Sequence, residues 1–202
     1  MKAVWIGVGV ALVLWGLMFG AQIANFWLSM SIAATGLAVF ALWSQRSTLR
    51  TLFCAEWQHV VIGVVSAGLL YAVFFVGDAV SALLFDFATP QVQGIYGMKA
   101  GTSPVLISVL LVALIGPAEE IFWRGLVQQR LMERVGAVAG WLLGALVYAA
   151  VHVWAWNFML FMAALVCGLF WGLMYLRWRS LTPVIISHAL WDLAIFVLFP
   201  IH

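Results

Sequence analysis

Glu119, Glu120, Arg124, His152, His188 and Asp192 all sit inside long apolar runs. An ionisable group at the centre of a lipid-embedded helix costs at least about 2.5–3.5 kcal/mol, so these positions are functional-site candidates by default. Residues four apart stack on one face of a helix, which lets Glu120 pair with Arg124. Glu119 is rotated about 100° from Glu120 and has no obvious local partner. A lone carboxylate next to a fixed ion pair is what a general base requires. The plain alternative is a buried ion pair that only fixes helix packing. It accounts for one glutamate and one arginine and leaves the second glutamate as surplus negative charge. His188 and Asp192 repeat the four-residue spacing, so Asp192 can orient the imidazole or, when protonated, donate a hydrogen bond itself. His152 stands alone in its segment, where a histidine reads first as a core residue. Three segments directing polar groups at one interior shift that reading, because lipid solvates none of them. Asp78 and His59 lie near the ends of another apolar segment, within reach of water or loop contacts.

The elements that carry these residues follow from composition. Of 202 residues, 66% are hydrophobic and 8% charged, with a mean hydropathy of +1.14. Soluble domains carry roughly 25% charged residues, so this chain cannot cover a water-facing surface. Collagen, coiled coil and disordered tail are excluded on the same grounds. A net charge of +2 gives no reason to expect a polyanionic partner, and no nucleic acid is expected. About 20 apolar residues make a membrane span. Seven segments qualify: Val4–Ala24, Phe26–Trp43, His59–Phe85, Pro104–Arg130, Ala137–Trp156, Phe158–Trp178 and Leu181–Pro200. The expected fold is all-α, a polytopic integral membrane protein of seven transmembrane helices around an intramembrane polar cavity. Residues 1–202 read as a single membrane domain, with the chemical motifs in 104–200 and three accessory spans in 1–85. The first apolar run is too long for a secretion signal and reads as a retained span. Pro117 after Gly116 predicts a kink, since proline removes a helical N–H. The stretch 86–103, broken by Pro90, Gly94, Gly97 and Gly101, reads as a loop.

Arg46 and Arg50 follow the second span, Arg130 and Arg134 the fourth, and Arg177 and Arg179 the sixth. With Lys2 they fall on one side, which the positive-inside rule makes cytoplasmic. The protein is therefore expected in the cell membrane with its N-terminus in the cytoplasm and its C-terminus outside. At 1.5 Å per residue, His188 lies about 13 Å inward from Arg179, and Glu119 about 16 Å inward from Arg130. These depths point the active site toward the cytoplasm, with lateral access from lipid as a second route. His152 comes out at about 24 Å from Gly136, some two turns too far. A strongly tilted fifth helix, or one that begins in the cytoplasm, would absorb the mismatch.

Cys54 and Cys167 occupy separate apolar segments without CxxC spacing and read as small buried hydrophobes. Trp43, Trp57, Trp154, Trp156 and Trp178 lie near span ends, as in an aromatic belt. Trp171 reads as lipid-facing or core. Gly136, Gly140 and Gly144, like Gly168 and Gly172, recur every fourth residue, a spacing that allows close helix packing within the chain or, second, a dimer face.

Three of these patterns together resemble a known family. Glu119-Glu120-x-x-x-Arg124, then Tyr148-x-x-x-His152, then His188-x-x-x-Asp192 are similar to the motifs of the CPBP family, the Abi and type II CAAX-protease-like intramembrane endopeptidases. The resemblance spans the fourth to seventh segments. Two positions depart from the usual pattern: Tyr148 stands where Phe is common, and Asp192 where Asn is. The resemblance implies proteolysis within the membrane. Groups matching Glu119 and His152 would hold and activate water, and those matching His188 and Asp192 would stabilise the oxyanion. Glu120 with Arg124 would position the helix and tune the field around Glu119. No cofactor is favoured. A zinc-dependent version of the same protease is the alternative, with Glu119, His152 and His188 as ligands, although HExxH spacing is missing. A serine mechanism fails because Ser187 is adjacent to His188 and cannot face it. An aspartyl mechanism lacks a partner for Asp78 at matching depth. The expected substrate is a membrane-anchored or membrane-embedded protein or peptide within the bilayer, and the resemblance does not establish a prenylated one. Non-enzymatic alternatives are a small-ion or proton transporter, for which no inverted repeat is visible, and a membrane peptide-binding or immunity factor. The sequence leaves oligomeric state open.

Overall fold

The computed structural model describes residues 1–45, 52–53 and 56–201. Cys54 and the Arg46 and Arg50 pair used for orientation lie outside the described residues. The chain is all-helical, with no strand among the described residues. Seven helices are long and apolar enough to cross a membrane: α1 (Lys2–Gly20), α2 (Phe26–Ser44), α3 (Trp57–Leu84), α5 (Pro104–Val135), α6 (Ala137–Ala155), α7 (Phe158–Trp178) and α8 (Leu181–Leu198). A shorter helix, α4 (Ala88–Gly97), lies between α3 and α5.

Helix α4 corrects the loop expected over 86–103. Pro90 falls in its first turn, where the backbone N–H groups have no intrahelical acceptor and a missing donor costs little. Contacts with other helices hold it in place. Asn157 Nδ2 and the Met159 N–H donate to the Gln91 carbonyl and side-chain oxygen at 2.8 and 3.0 Å, and Tyr96 O–H donates to the Ile195 carbonyl at 3.0 Å.

Helix α5 runs through the centre of the bundle and is packed by α2, α6 and α8. Pro117 is accommodated by a π-helical turn, Leu111–Ile115, just ahead of it, in which Gly116 N–H reaches back to the Leu111 carbonyl. A second π turn, Trp123–Gln128, carries Arg124. The two widened turns flank Glu119 and Glu120, in keeping with the frequent association of π turns with functional sites. Helix starts are set by polar caps: Asn25 accepts from the N–H groups of Trp27 and Leu28, Asn157 from Leu160, and Ser180 from Thr182.

The glycines pack helices inside the chain. A Cβ on Gly140 would collide with the Met132 backbone of α5, Gly144 faces Gln128, Gly168 faces Ala145, and Gly172 faces Trp141 and Gln128. Gly136, at φ +93°, is instead the turn between α5 and α6. Trp43, Trp57 and Trp156 are 69, 77 and 84% exposed. Trp171 is fully buried.

Gly140→Ala should lower the thermal midpoint in detergent by several degrees, since overpacking against backbone costs about 1–3 kcal/mol. Gly68→Ala, where nothing lies within 4 Å of the new methyl, should leave it unchanged or slightly raised.

Candidate functional site

The six ionisable candidates are all buried, and five of them form one connected set. Arg124 Nη1 lies 2.8 Å from Glu120 Oε1, as the i,i+4 spacing predicts. The same oxygen meets His188 Nδ1 at 2.7 Å, a link across helices that the sequence did not show. A carboxylate accepts, so Nδ1 carries the proton. His188 Nε2 then faces Asp192 Oδ2 at 3.4 Å and Glu119 Oε2 at 3.8 Å. Glu119 also has the partner on α6 that its own helix lacks: Tyr148 O–H donates to Oε2 at 3.2 Å. Its Oε1 has no hydrogen-bond partner among the described residues.

Aromatic rings and a carbonyl fix Arg124 and His188. The Arg124 guanidinium lies over the rings of Tyr148 and Trp171, 4.7 and 5.5 Å from their centroids, and its Nη2 donates to the Cys167 carbonyl at 3.3 Å. Trp171 stacks on His188 with centroids 3.8 Å apart and donates its indole N–H to Ser187 Oγ. Ser187 thus acts as an acceptor for Trp171, in line with the rejection of a serine nucleophile.

His152 stands apart from this network. It lies in a 3₁₀ turn, Val151–Ala155, that ends α6. Its Nδ1 donates to the Tyr148 carbonyl at 2.9 Å, and its Nε2 accepts the indole N–H of Trp15 at 3.3 Å. The depth mismatch has a structural answer. The residue of α6 that bonds Glu119 is Tyr148, one turn before His152, while His152 lines the same cavity nearer its mouth.

That cavity, about 120 Å³, is lined by Glu119, Tyr148, His152, His188 and Asp192 among others. Phe19 of α1 and Phe26, Trp27 and Met30 of α2 also line it, so the helices read as accessory supply part of the wall. A neighbouring apolar cavity of about 340 Å³ shares Leu160, Ala163, Trp191 and Phe196 with it and contains Asp78. Asp78 therefore does not line the cavity that holds Asp192. The wall residues also place the cavity along the bundle. Phe19, Phe26, Leu160 and Phe196 lie at the bundle end opposite Arg130, Arg134, Arg177 and Arg179.

The ligand set of the zinc alternative, Glu119, His152 and His188, is not brought together as a metal site among the described residues. Among the described residues no group of three His, Cys, Asp or Glu side chains could hold a metal ion. Of the three ligands the zinc alternative needs, His152 has both ring nitrogens engaged by Tyr148 and Trp15.

A family model, Type II CAAX prenyl endopeptidase Rce1-like, matches residues 101–194. Over this stretch, which is under half of the chain, the sequence is similar to that family, in agreement with the resemblance read from the three motifs. The match supports a CAAX-protease-like intramembrane endopeptidase. It covers α5, α6, α7 and most of α8; α1 to α4 lie outside it. No curated protein and no solved structure matches the chain.

Sequence reasoning missed Trp15, Trp171 and the hydroxyl of Tyr148. The signal for Tyr148 was its departure from phenylalanine. Trp15 and Trp171 gave none that set them apart from belt or core tryptophans.

Removing Arg124 leaves Glu120 buried with only His188 for a partner. Arg124→Ala should cost about 3–5 kcal/mol and lower the thermal midpoint clearly; an unchanged midpoint would show that the pair carries no structural weight. Tyr148→Phe keeps the ring over which Arg124 sits and removes only the hydroxyl. Stability should be nearly kept while kcat falls about tenfold, as expected for loss of about 1.4 kcal/mol of positioning.

Proposed function

We propose that the chain hydrolyses a peptide bond in a membrane-anchored protein by a water molecule activated by Glu119, without a metal. The observation that supports this reading best is the state of Glu119. It is 5% exposed, held at Oε2 by the Tyr148 hydroxyl, unbonded at Oε1, and lines a cavity with His188 and Asp192.

In this reading, Glu119 Oε1 takes a proton from water as the hydroxide oxygen bonds to the carbonyl carbon of the scissile peptide. Negative charge develops on the carbonyl oxygen. A proton on His188 Nε2, or on the Asp192 carboxyl, stabilises it as a hydrogen-bond donor. Glu119 then returns the proton to the departing amine nitrogen as the C–N bond breaks. Glu120 fixes the His188 ring through Nδ1, so that Nε2 points to the reacting side. The resemblance assigns His152 to the water, but Nε2 must first release the Trp15 indole. Here His152 is assigned to the wall near the mouth of the cavity. The protein is placed in the cell membrane with the arginine-rich end in the cytoplasm.

The test uses purified full-length protein and a panel of single-span membrane peptides. Glu119→Gln should reduce cleavage by at least about a thousandfold while the protein stays folded and membrane-inserted. Chelation should leave the parent activity unchanged. Undiminished cleavage by the Gln variant removes the general-base assignment. Activity lost on chelation and restored by zinc overturns the metal-free mechanism. No cleavage by the parent against the whole panel favours a peptide-binding factor.

A further inference from the structure

Resting on the protease reading of the same site, we infer that the cavity is reached from the non-cytoplasmic face, and that the substrates are membrane-anchored proteins presenting the scissile bond there. Three features carry this.

The first is where the walls come from. Phe19 closes α1, Phe26 and Trp27 open α2, Leu160 opens α7, and Phe196 lies in the last turn of α8. Chain order places all of these at one end of the bundle. The apolar cavity that shares the Leu160 and Phe196 wall is completed by the second half of α3 and by α4, at the same end.

The second is the seal at the other end. On α5 the cavity wall goes no further than Glu119, on α7 no further than Trp171, and on α8 it begins at His188. Beyond them lie Arg124, Gln128, Met132, Leu181 and Val184, all buried. The Gln128 amide donates to the Gly172 carbonyl at 2.8 Å and to Met132 Sδ at 3.4 Å, tying α5 to α7 across this region. Gly140 brings α6 into backbone contact with α5 at Met132. Among the described residues, this packing lies between the cavity and the arginine-rich end.

The third is charge. Lys2, Arg134, Arg177 and Arg179 are exposed, and Arg130 is half-buried, at the sealed end. At the open end the described residues include a single cation, Lys99, together with Asp78 and Asp86. The lysine and arginine bias sets orientation, so the sealed end faces the cytoplasm and the open end faces away from it. A lipidated tail presented in the cytoplasm does not meet this mouth. The 120 Å³ cavity is also too small for an α-helix, which is about 10–12 Å across with its side chains, so the substrate segment is extended where it is cut.

The test places single cysteines in the full-length chain and treats sealed vesicles with a membrane-impermeant maleimide, reading labelling above the parent protein. Gln22→Cys marks the open end, Phe19→Cys the cavity wall and Arg134→Cys the sealed end. In right-side-out vesicles, Gln22→Cys and Phe19→Cys should label several-fold above parent and Arg134→Cys should not; inversion should reverse the pattern. Labelling of Phe19→Cys only in inverted vesicles overturns the inference. So does labelling of Gln22→Cys from outside with Phe19→Cys reactive from neither face. A second arm uses two reporters carrying the same peptide on opposite sides of one membrane anchor, and only the non-cytoplasmic one should be cut. Labelling reads no chemistry. Cleavage lost in Glu119→Gln with a cytoplasmic mouth therefore keeps the protease reading and rejects this one, and the converse pattern does the reverse.

Discussion

Glu120 has no exposed surface, and its Oε1 meets the Arg124 guanidinium and the His188 imidazole at 2.8 and 2.7 Å. A charge buried this deeply is tolerable only when its partners and hydrogen bonds are supplied by the fold. Satisfying it draws in much of the remaining architecture. Arg124 must be carried by the same helix, and α8 must pack closely enough on α5 for His188 to reach across. The Cys167 carbonyl of α7 must turn toward Arg124, and Tyr148 and Trp171 must sit as flat faces beside the guanidinium. Four helices are thus held in register by one carboxylate and its partners.

That constraint also separates the two adjacent glutamates. Glu120 is consumed by structure, while Glu119, one residue earlier, points to the cavity and is held by Tyr148. The π turns on either side of the pair change the angular register of α5 where a regular helix would meet Pro117 and the α7 and α8 interfaces. The same helix therefore offers one carboxylate to the scaffold and the other to the chemistry. His188 joins the two, with Nδ1 on the structural glutamate and Nε2 toward Glu119 and Asp192.

The cavity is asymmetric along the membrane normal for a related reason. Interhelical glycine contacts and the Gln128 amide pack the arginine-rich half, where α6 approaches α5 and α7 backbone to backbone. At the opposite end, large aromatic side chains of α1, α2 and α8 stand around the opening, and α4 is laid across α7 and α8. The helices outside the Rce1-like stretch thereby decide the shape of the mouth, although the polar groups within it come from α5, α6 and α8.

The sequence alone determined the all-helical membrane fold and the seven spans to within about five residues, and it singled out the buried polar residues that the fold brings together. Composition excludes a water-facing surface, and ionisable side chains stand out against lipid-compatible runs. It also determined the Glu120–Arg124 pair, because i,i+4 geometry is local. It misjudged 86–103, since the contacts that stabilise α4 come from Asn157, Met159 and Ile195, distant in sequence and unreadable from Pro90 and the glycines. Only tertiary structure decided that Glu120 is shared with His188, that Tyr148 holds Glu119, that Trp15 occupies His152, and that the aromatic wall of the cavity stands at the end opposite the arginines. Each depends on how helices far apart in the chain are rotated against one another. Hydrophobic periodicity leaves that rotation open when a helix is apolar on every face.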